Sequence, residues 1–134
     1  MTGSDATVTN CHLSNNVADG INANPAGTAT TLTVLNSVIS ANGGWGIEIN
    51  NGLISGNTIN GNNTGGTTGS IYFAGITSVM NHPITNAVGT SYPLGYSGAA
   101  RVVIGLNTII PTNGLPLPAF TSMGNNVCGV GVGC

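Results

Sequence analysis

The feature that most constrains this chain is a segment that repeats within the first 62 residues. Residues 36–50 repeat residues 10–24 at an offset of 26, and a third copy begins at 53 with an offset near 20. Segments such as 32–34 alternate apolar and polar side chains, which is the period of a β-strand. Matching positions in the first two copies are Asn10 and Asn36, Leu13 and Ile39, Ser14 and Ser40, Asn16 and Asn42, Gly20 and Gly46, Ile21 and Ile47, and Asn24 and Asn50. A repeat of this length predicts stacked structural units.

A single unit with two short strands cannot bury its own apolar row. Stacked coils can, because equivalent positions of neighbouring strands lie about 4.8 Å apart and Ile packs over Ile. Asn residues between the strands tolerate left-handed backbone and can bond to the adjacent coil. Gly20, Gly43 and Gly44 are expected to form corners with positive φ. We therefore predict an all-β solenoid.

The repeat unit has the pattern apolar-x-apolar-x-Asn-x-x-Ile-Ser-x-Asn, followed by Gly-Ile-x-Ile. It resembles the right-handed parallel β-helix repeats of the pectate-lyase-like superfamily, clearly over 6–62 and more weakly over 101–128. The later segment is similar to the closing coil of secreted bacterial members. The resemblance implies a right-handed parallel β-helix of about five or six coils with lateral loops, in an extracellular or cell-surface protein. It does not specify a function.

The repeat divides the chain into three parts. Residues 1–5 are interpreted as a leader or cloning remnant, 6–128 as a single β-helix domain, and 129–134 as a Gly/Val tail. Within the domain, 63–100 is expected to be rich in loops, because the repeat disappears over 71–100 and prolines there mark turns or lateral loops. Residues 71–76 are expected to form a buried strand. A different small β-element is the alternative for this region.

Composition excludes two classes of partner. Charged residues make up 3% of the chain, with no Lys, one Arg and a formal net charge of -2. Binding to a phosphate backbone depends on Lys and Arg, so nucleic acid is not expected as a partner. No apolar run approaches the roughly 20 residues of a membrane-spanning helix. The apolar fraction of 40% is enough to drive collapse, so disorder is not expected either.

The three cysteines suggest one covalent link. A flexible Gly-Val-Gly-Val-Gly spacer separates Cys128 from Cys134, which predicts either a disulfide or two free thiols on a frayed tail. A disulfide would indicate an oxidising compartment. Cys11 aligns with a serine and is expected in or near the stack. No metal site is expected from Cys11, His12 and His82, because neighbouring strand residues face opposite sides, and no cofactor is expected.

The candidate ligand-binding residues are Trp45, Glu48 and Asn22. Trp45 is the only tryptophan and has glycine on both sides. It is interpreted either as a platform for stacking sugars or as a loop residue folded over the coil edge. Glu48 lies between two isoleucines that should face the core, so its side chain should point outward. Asn22 belongs to the Asn-rich coils.

Catalysis by this chain alone is not expected. The resemblance implies that enzymes of this fold use clustered Asp residues, or Asp-bound Ca²⁺ with a basic residue. Asp19 and Glu48 are three positions and one coil apart, which places them about 11 Å from each other. Retaining glycosidases need about 5–5.5 Å and inverting ones about 6.5–9.5 Å. A lyase for acidic sugars would also lack its cationic clamp, since Arg101 is the only Lys or Arg.

Three classes of function remain. The first and favoured one is a non-catalytic extracellular structural or surface module that associates with itself by stacking coil ends, since the repeat begins near residue 6 without a visible cap. The second is a carbohydrate-binding module, or the remnant of a polysaccharide-processing β-helix enzyme. The third is an enzyme whose acids come from a preceding segment or a partner chain. Ice binding by the stacked Thr7 and Thr33 is disfavoured, because Leu53 follows them.

Overall fold

The computed structural model describes residues 5–23, 31–65, 69–80, 83–86, 94–96, 101–105, 108–110, 120–122, 124 and 127–128. All regular elements within these residues are β-strands. This part of the chain has no helix that is long and apolar enough to cross a membrane. The strands are β1 Ala6–Thr9, β2 His12–Ser14, β3 Ile21–Ala23, β4 Thr31–Leu35, β5 Val38–Ser40, β6 Ile47–Ile49, β7 Asn51–Ser55, β8 Thr58–Asn62, β9 Ile71–Phe73, β10 Ile76–Met80, β11 Pro83–Asn86, β12 Leu94–Tyr96, β13 Arg101–Gly105, β14 Thr108–Ile110, β15 Phe120–Ser122 and β16 Val127–Cys128.

The strands form three parallel sheets. Sheet 1 has the order β1-β4-β7-β10-β13-β15, sheet 2 the order β2-β5-β8-β11-β14-β16, and sheet 3 the order β3-β6-β9-β12. Each strand from β1 to β11 pairs with the one three places later. The chain therefore visits the three sheets in turn and then returns one coil further along. The strands of sheet 1 mark six coils among the described residues. The predicted all-β solenoid is confirmed.

The register of the first three coils is the one that the repeat predicts. Thr7 pairs with Thr33 at the offset of 26, and Thr33 pairs with Leu53 at the offset of 20. Leu53 is exposed on the outer face of sheet 1, so the outward threonine column ends after two residues there. Coil length therefore changes along the chain while the strands stay aligned.

The core is a set of apolar columns running along the solenoid. Ile39 lies beside Ile59 in sheet 2, and both are completely buried. In sheet 3, Ile47 lies beside Ile71, which in turn lies beside Leu94. Burying side chains of this size contributes about 1.5–3 kcal/mol each. Alternation along each strand then leaves every second residue on the outer surface.

Two corners in each of the first three coils have left-handed backbone. The corner between sheets 1 and 2 uses Asn10, Asn36 and Gly56, and the corner after sheet 2 uses Asn15, Ala41 and Gly61, all with positive φ. Backbone N–H groups at these corners bond to the next coil: that of Asn36 donates to the Ser55 carbonyl at 3.1 Å. The predicted role of asparagine at the corners is confirmed.

The expectation that Gly20, Gly43 and Gly44 form positive-φ corners is wrong, because none of the three has positive φ. They are instead places where coils approach closely. A Cβ added to Gly43 would lie 2.0 Å from the Val17 carbonyl oxygen of the preceding coil. Glycine is required there because the space for a side chain is missing.

The structure also corrects the expectation that 71–100 leaves the solenoid. β9, β10, β11 and β12 lie in this segment and continue all three sheets. Pro83 is the first residue of β11 rather than part of a lateral loop, a position at which a strand tolerates proline. Residues 1–4 of the predicted leader at 1–5, the tail at 129–134 and the remaining predicted loops lie outside the described residues.

Buried asparagine side chains connect the coils. Asn42 and Asn62 are completely buried at equivalent positions of neighbouring coils, where the chain leaves sheet 2. The Asn42 Nδ2 group donates to the Leu13 carbonyl at 3.2 Å and to Asn62 Oδ1 at 2.8 Å, so one side chain joins three coils. Asn62 Nδ2 donates in turn to the Ile39 carbonyl at 3.0 Å. Asn62 Oδ1 also accepts from the Asn42 backbone N–H at 3.2 Å, a turn group outside the strands, so the amide satisfies a buried donor that has no strand partner.

A second buried amide does the same at the corner between sheets 1 and 2. Asn57 accepts a hydrogen bond from the Ser37 backbone N–H at 2.8 Å and donates to the Val34 carbonyl at 2.9 Å. The Ser37 hydroxyl then accepts from the backbone N–H of Cys11 at 3.1 Å. Both corners of the coil are therefore held by side chains bonded along the stack.

Substituting Asn62 with Ala should lower the free energy of unfolding by about 3 kcal/mol. The change leaves the Asn42 backbone N–H and one Asn42 amide hydrogen without their acceptor, and each buried orphan costs about 1–3 kcal/mol. Urea unfolding followed by circular dichroism measures the loss. The control is Asn60→Ala, an exposed residue of the same strand, expected to change stability by less than about 0.5 kcal/mol. Equal stabilities of the two variants would contradict a supporting role for the ladder.

Candidate functional site

The outer face of sheet 3 carries a column of four residues in register. Asn22 pairs with Glu48, Glu48 with Tyr72, and Tyr72 with Gly95, one from each of four successive coils. The residues on either side of Glu48 are completely buried, so its side chain points outward as predicted. Adjacent members of the column lie about 4.8 Å apart. The sheet therefore brings side chains distant in sequence onto one flank of the solenoid.

Asn22 holds two carboxylates together. Its Nδ2 group donates to Asp19 Oδ2 at 3.0 Å and to Glu48 Oε2 at 2.8 Å. The two acceptor oxygens are therefore at most 5.8 Å apart, the sum of the two bond lengths. Asn22 is exposed, whereas both acids are half-buried. We call Asp19 and Glu48 the acid pair.

The predicted separation of about 11 Å for the acid pair, estimated from strand geometry, is wrong. Asp19 lies in the turn between β2 and β3, where the chain does not advance as it does in a strand. Its Oδ1 atom accepts a hydrogen bond from the Trp45 backbone N–H of the next coil at 2.7 Å. This bond turns the Asp19 side chain toward Glu48. The distance argument against a catalytic carboxylate pair therefore no longer holds.

Trp45 lies against the same face of sheet 3. Its ring centroid is 5.2 Å from that of Tyr72, with the ring planes inclined at 43°. A Cβ placed on Gly95 would lie 2.5 Å from Trp45 Cη2, so the indole rests directly on the Gly95 backbone. Trp45 and Tyr72 are both half-buried. We call Trp45, Tyr72 and Gly95 the platform.

Comparison with known families accounts for this architecture. A family model described as a right-handed β-helix region matches residues 1–130. The chain belongs to the right-handed β-helix family. Neither a curated protein nor a solved structure matches it significantly. The family includes both enzymes and non-enzymes, so membership confirms the predicted handedness and fold, while the chemistry of this β-helix has to be inferred from its own surface.

The sequence analysis identified only some of the residues that the β-helix brings together in the candidate site. Trp45, Glu48 and Asn22 were all predicted, and the structure brings them to one face. Tyr72 and Gly95 were missed, because the repeat is not recognisable beyond residue 62. A local signal for Tyr72 exists in the sequence: Ile71-Tyr72-Phe73 repeats the apolar-x-apolar pattern of β6.

The other candidate residues lie elsewhere on the β-helix or outside the described residues. Cys11 is an exposed free thiol whose backbone joins the stack through Ser37, while its Sγ lies 3.3 Å from the Thr9 carbonyl oxygen. Within the part of the chain that the structure describes, no three His, Cys, Asp or Glu side chains are grouped to hold a metal ion. The proposed Cys128–Cys134 disulfide and His82 lie outside the described residues and side chains.

Replacing Gly95 with Ala should displace the Trp45 ring. The added Cβ would lie 2.5 Å from Trp45 Cη2 and 3.1 Å from Tyr72 Cδ2, so the indole must move into solvent. Because Trp45 is the sole tryptophan, its fluorescence emission should shift to longer wavelength, and the near-ultraviolet circular dichroism of the ring pair should weaken.

Thr58→Ala, on the outer side of sheet 2, is the control for this change and should leave both signals as they are. Far-ultraviolet circular dichroism verifies that each variant keeps its strands. An unshifted emission spectrum in a folded Gly95→Ala protein would mean that Trp45 does not pack on Gly95.

Proposed function

We propose that this β-helix is a carbohydrate-binding module and that the platform is its glycan-contacting surface. The observation that carries the proposal is the position of Trp45, whose ring is held against Tyr72 and Gly95 on an outward sheet face. Sequence alone favoured a purely structural module, with carbohydrate binding as the alternative. The packing of Trp45 on Tyr72 places two aromatic rings on one face, and this pairing favours a sugar-stacking surface over a single tryptophan that covers a coil edge. The proposed location is extracellular or at the cell surface.

The platform and the acid pair offer the two kinds of contact that a sugar needs. The rings of the platform suit the apolar CH faces of a sugar, and aromatic side chains bury large areas with well-defined orientation. The carboxylates of Asp19 and Glu48 are strong acceptors for hydroxyl groups. The column from Asn22 to Gly95 covers three strand spacings, about 14 Å, which is enough for a short oligosaccharide lying along the solenoid axis.

Rigid support favours binding at this place. Asn22, Glu48 and Tyr72 project from strands, not from loops. Side chains on regular elements lose little further freedom when a ligand binds, so more of the contact energy appears as affinity. The turn that carries Asp19 is bonded to the next coil through Trp45.

The spacing of the acid pair raises the question of hydrolysis. Its upper limit of 5.8 Å, the sum of the two bond lengths from Asn22, includes the separation of about 5–5.5 Å found in retaining glycosidases. Both oxygens of Asp19, however, already accept hydrogen bonds from Trp45 and Asn22. This engagement supports a positioning role for Asp19 and binding without cleavage. Recovery of intact oligosaccharide after prolonged incubation is the expected result.

Trp45→Ala should weaken glycan retention by about tenfold or more, equivalent to at least about 1.4 kcal/mol, because it removes the larger ring of the platform. Affinity electrophoresis through immobilised polysaccharides, followed by titration with oligosaccharides of the retained type, measures the change. Leu53→Ala is the matched control, since it removes an exposed apolar side chain from sheet 1. Unaltered retention by a folded Trp45→Ala protein would rule out the platform as the binding surface.

Self-association through coil ends is the second candidate function. The outermost strands of the three sheets among the described residues include β1, β2 and β3. Their inward side chains, such as Val8, Leu13 and Ile21, are only partly buried. Strand edges with exposed apolar side chains favour pairing with another chain, and the scarcity of charge removes one common obstacle to it.

The solution mass of the 134-residue chain tests this second candidate. Size exclusion with light scattering over a concentration series should show growth from monomer to larger species. Substituting Val8 with Lys should reduce that growth, because it places a charge in the apolar end of the core. A constant monomer mass at high protein concentration would exclude self-association through this end.

A further inference from the structure

The flank that carries the platform also carries negative charge, which comes from the acid pair. We propose that it selects sugars bearing an ammonium group, that is hexosamines, over neutral sugars and uronic acids. This inference rests on the proposed carbohydrate-binding function and names the class of glycan. Its basis is the acid pair and the aromatic rings on the same column of sheet 3.

Two of the three acidic residues of the chain meet at this place. Asp19 and Glu48 both bond to Asn22, and their oxygens lie within 5.8 Å, the sum of those two bond lengths. Arg101 is the only Lys or Arg in the sequence, and it lies on β13 of sheet 1 rather than in sheet 3. The charges of Asp5 and Arg101 cancel, so the acid pair accounts for the formal net charge of -2. The described strands of sheet 3 contain no Lys or Arg.

The aromatic rings favour the same kind of ligand independently of the acids. An ammonium group within about 6 Å of a ring centroid is attracted to the face of an aromatic system, most strongly to that of Trp. Trp45 reaches the acid pair through its own backbone, whose N–H binds Asp19. In the register of sheet 3, Tyr72 is the direct neighbour of Glu48, and Trp45 packs on Tyr72. An aromatic ring and one carboxylate of the acid pair therefore belong to adjacent strands about 4.8 Å apart, within reach of the same sugar or of adjacent sugars in one chain.

Uronic acids are expected to be repelled by the acid pair. Their carboxylates would approach two like charges, and repulsion at about 4 Å costs on the order of a fivefold to tenfold loss in affinity even when well solvated. Neutral sugars keep the ring contacts and hydroxyl hydrogen bonds but gain nothing from the charge. The expected order of affinity is hexosamine, then neutral sugar, then uronic acid.

An ammonium group can come from a sugar or from a small free cation. The column favours a sugar, because its polar and aromatic members extend over about 14 Å, much more than a single small cation can contact. Tetramethylammonium serves as the probe for the small cation alone.

Titration of Trp45 fluorescence with three tetrasaccharides tests the assignment directly, since the chain has no other tryptophan. The probes are tetramers of glucosamine, N-acetylglucosamine and galacturonic acid, at a pH where the sugar amine is protonated. The glucosamine tetramer should bind about tenfold more tightly than the N-acetylated one. The galacturonate tetramer should bind most weakly, and added salt should reduce the differences.

Glu48→Gln is the decisive variant. A glutamine oxygen can still accept the bond from Asn22 Nδ2, so the column should remain intact while one charge is removed. The preference for the glucosamine tetramer over the N-acetylated one should fall from about tenfold to about twofold. Asp5→Asn is the matched control: it makes the same charge change at an exposed residue outside sheet 3, and it should keep the full preference.

The possible failures are distinguishable. If none of the tetramers changes the fluorescence and none is retained, the proposed function itself is wrong. If the N-acetylated tetramer binds as tightly as the glucosamine tetramer, or if Glu48→Gln leaves the preference intact, carbohydrate binding stands and the charge selection is wrong. A response to tetramethylammonium as tight as that to the glucosamine tetramer would replace the hexosamine with a small cation.

Discussion

The side-chain amides of Asn42 and Asn62 provide the interaction on which the stacked coils depend. A parallel solenoid must turn between its sheets, and each turn leaves backbone groups without a strand partner inside the protein. Buried groups of this kind are costly unless they are bonded. The Oδ1 atoms of the two amides accept from such groups, the backbone N–H of Asn16 and that of Asn42. Their Nδ2 groups donate along the stack, which fixes each coil against the next. The offset between coils can then change from 26 to 20 residues without loss of register.

Neutral amides, rather than charged side chains, hold the coils together, and the surface therefore carries few charges. A chain with 3% charged residues has little background field, so the few acids that it has dominate wherever they lie. Asp19 and Glu48 are placed together by Asn22, on a face that also holds the platform. The outer positions of sheet 1 are chemically different, with residues such as Thr33 and Leu53. Among the described residues, the outer face of sheet 3 therefore differs in chemistry from that of sheet 1.

Sequence reasoning succeeded where the fold is periodic. The register of the first three coils and the outward direction of Glu48 follow from alternation and from identical residues at fixed offsets, which are visible in the sequence. It failed where geometry is set by turns. The position of Asp19 depends on a bond to the backbone of the next coil, and no residue pattern indicates it. The positive φ of Ala41 has no signal of its own, since alanine rarely adopts that conformation. Tyr72 was missed for another reason, because the recognisable repeat ends at residue 62.

The direction of the hydrogen bonds between coils determines how this protein would respond to force. In all three sheets the bonds between strands run along the solenoid axis, and the amide ladders run the same way. Tension applied between the two ends therefore acts on one layer of bonds at a time, and coils should peel off singly at low force. Tension applied across the axis would have to shear several layers together. Anchored by its flank rather than by its ends, the same β-helix would be a much stiffer mechanical element.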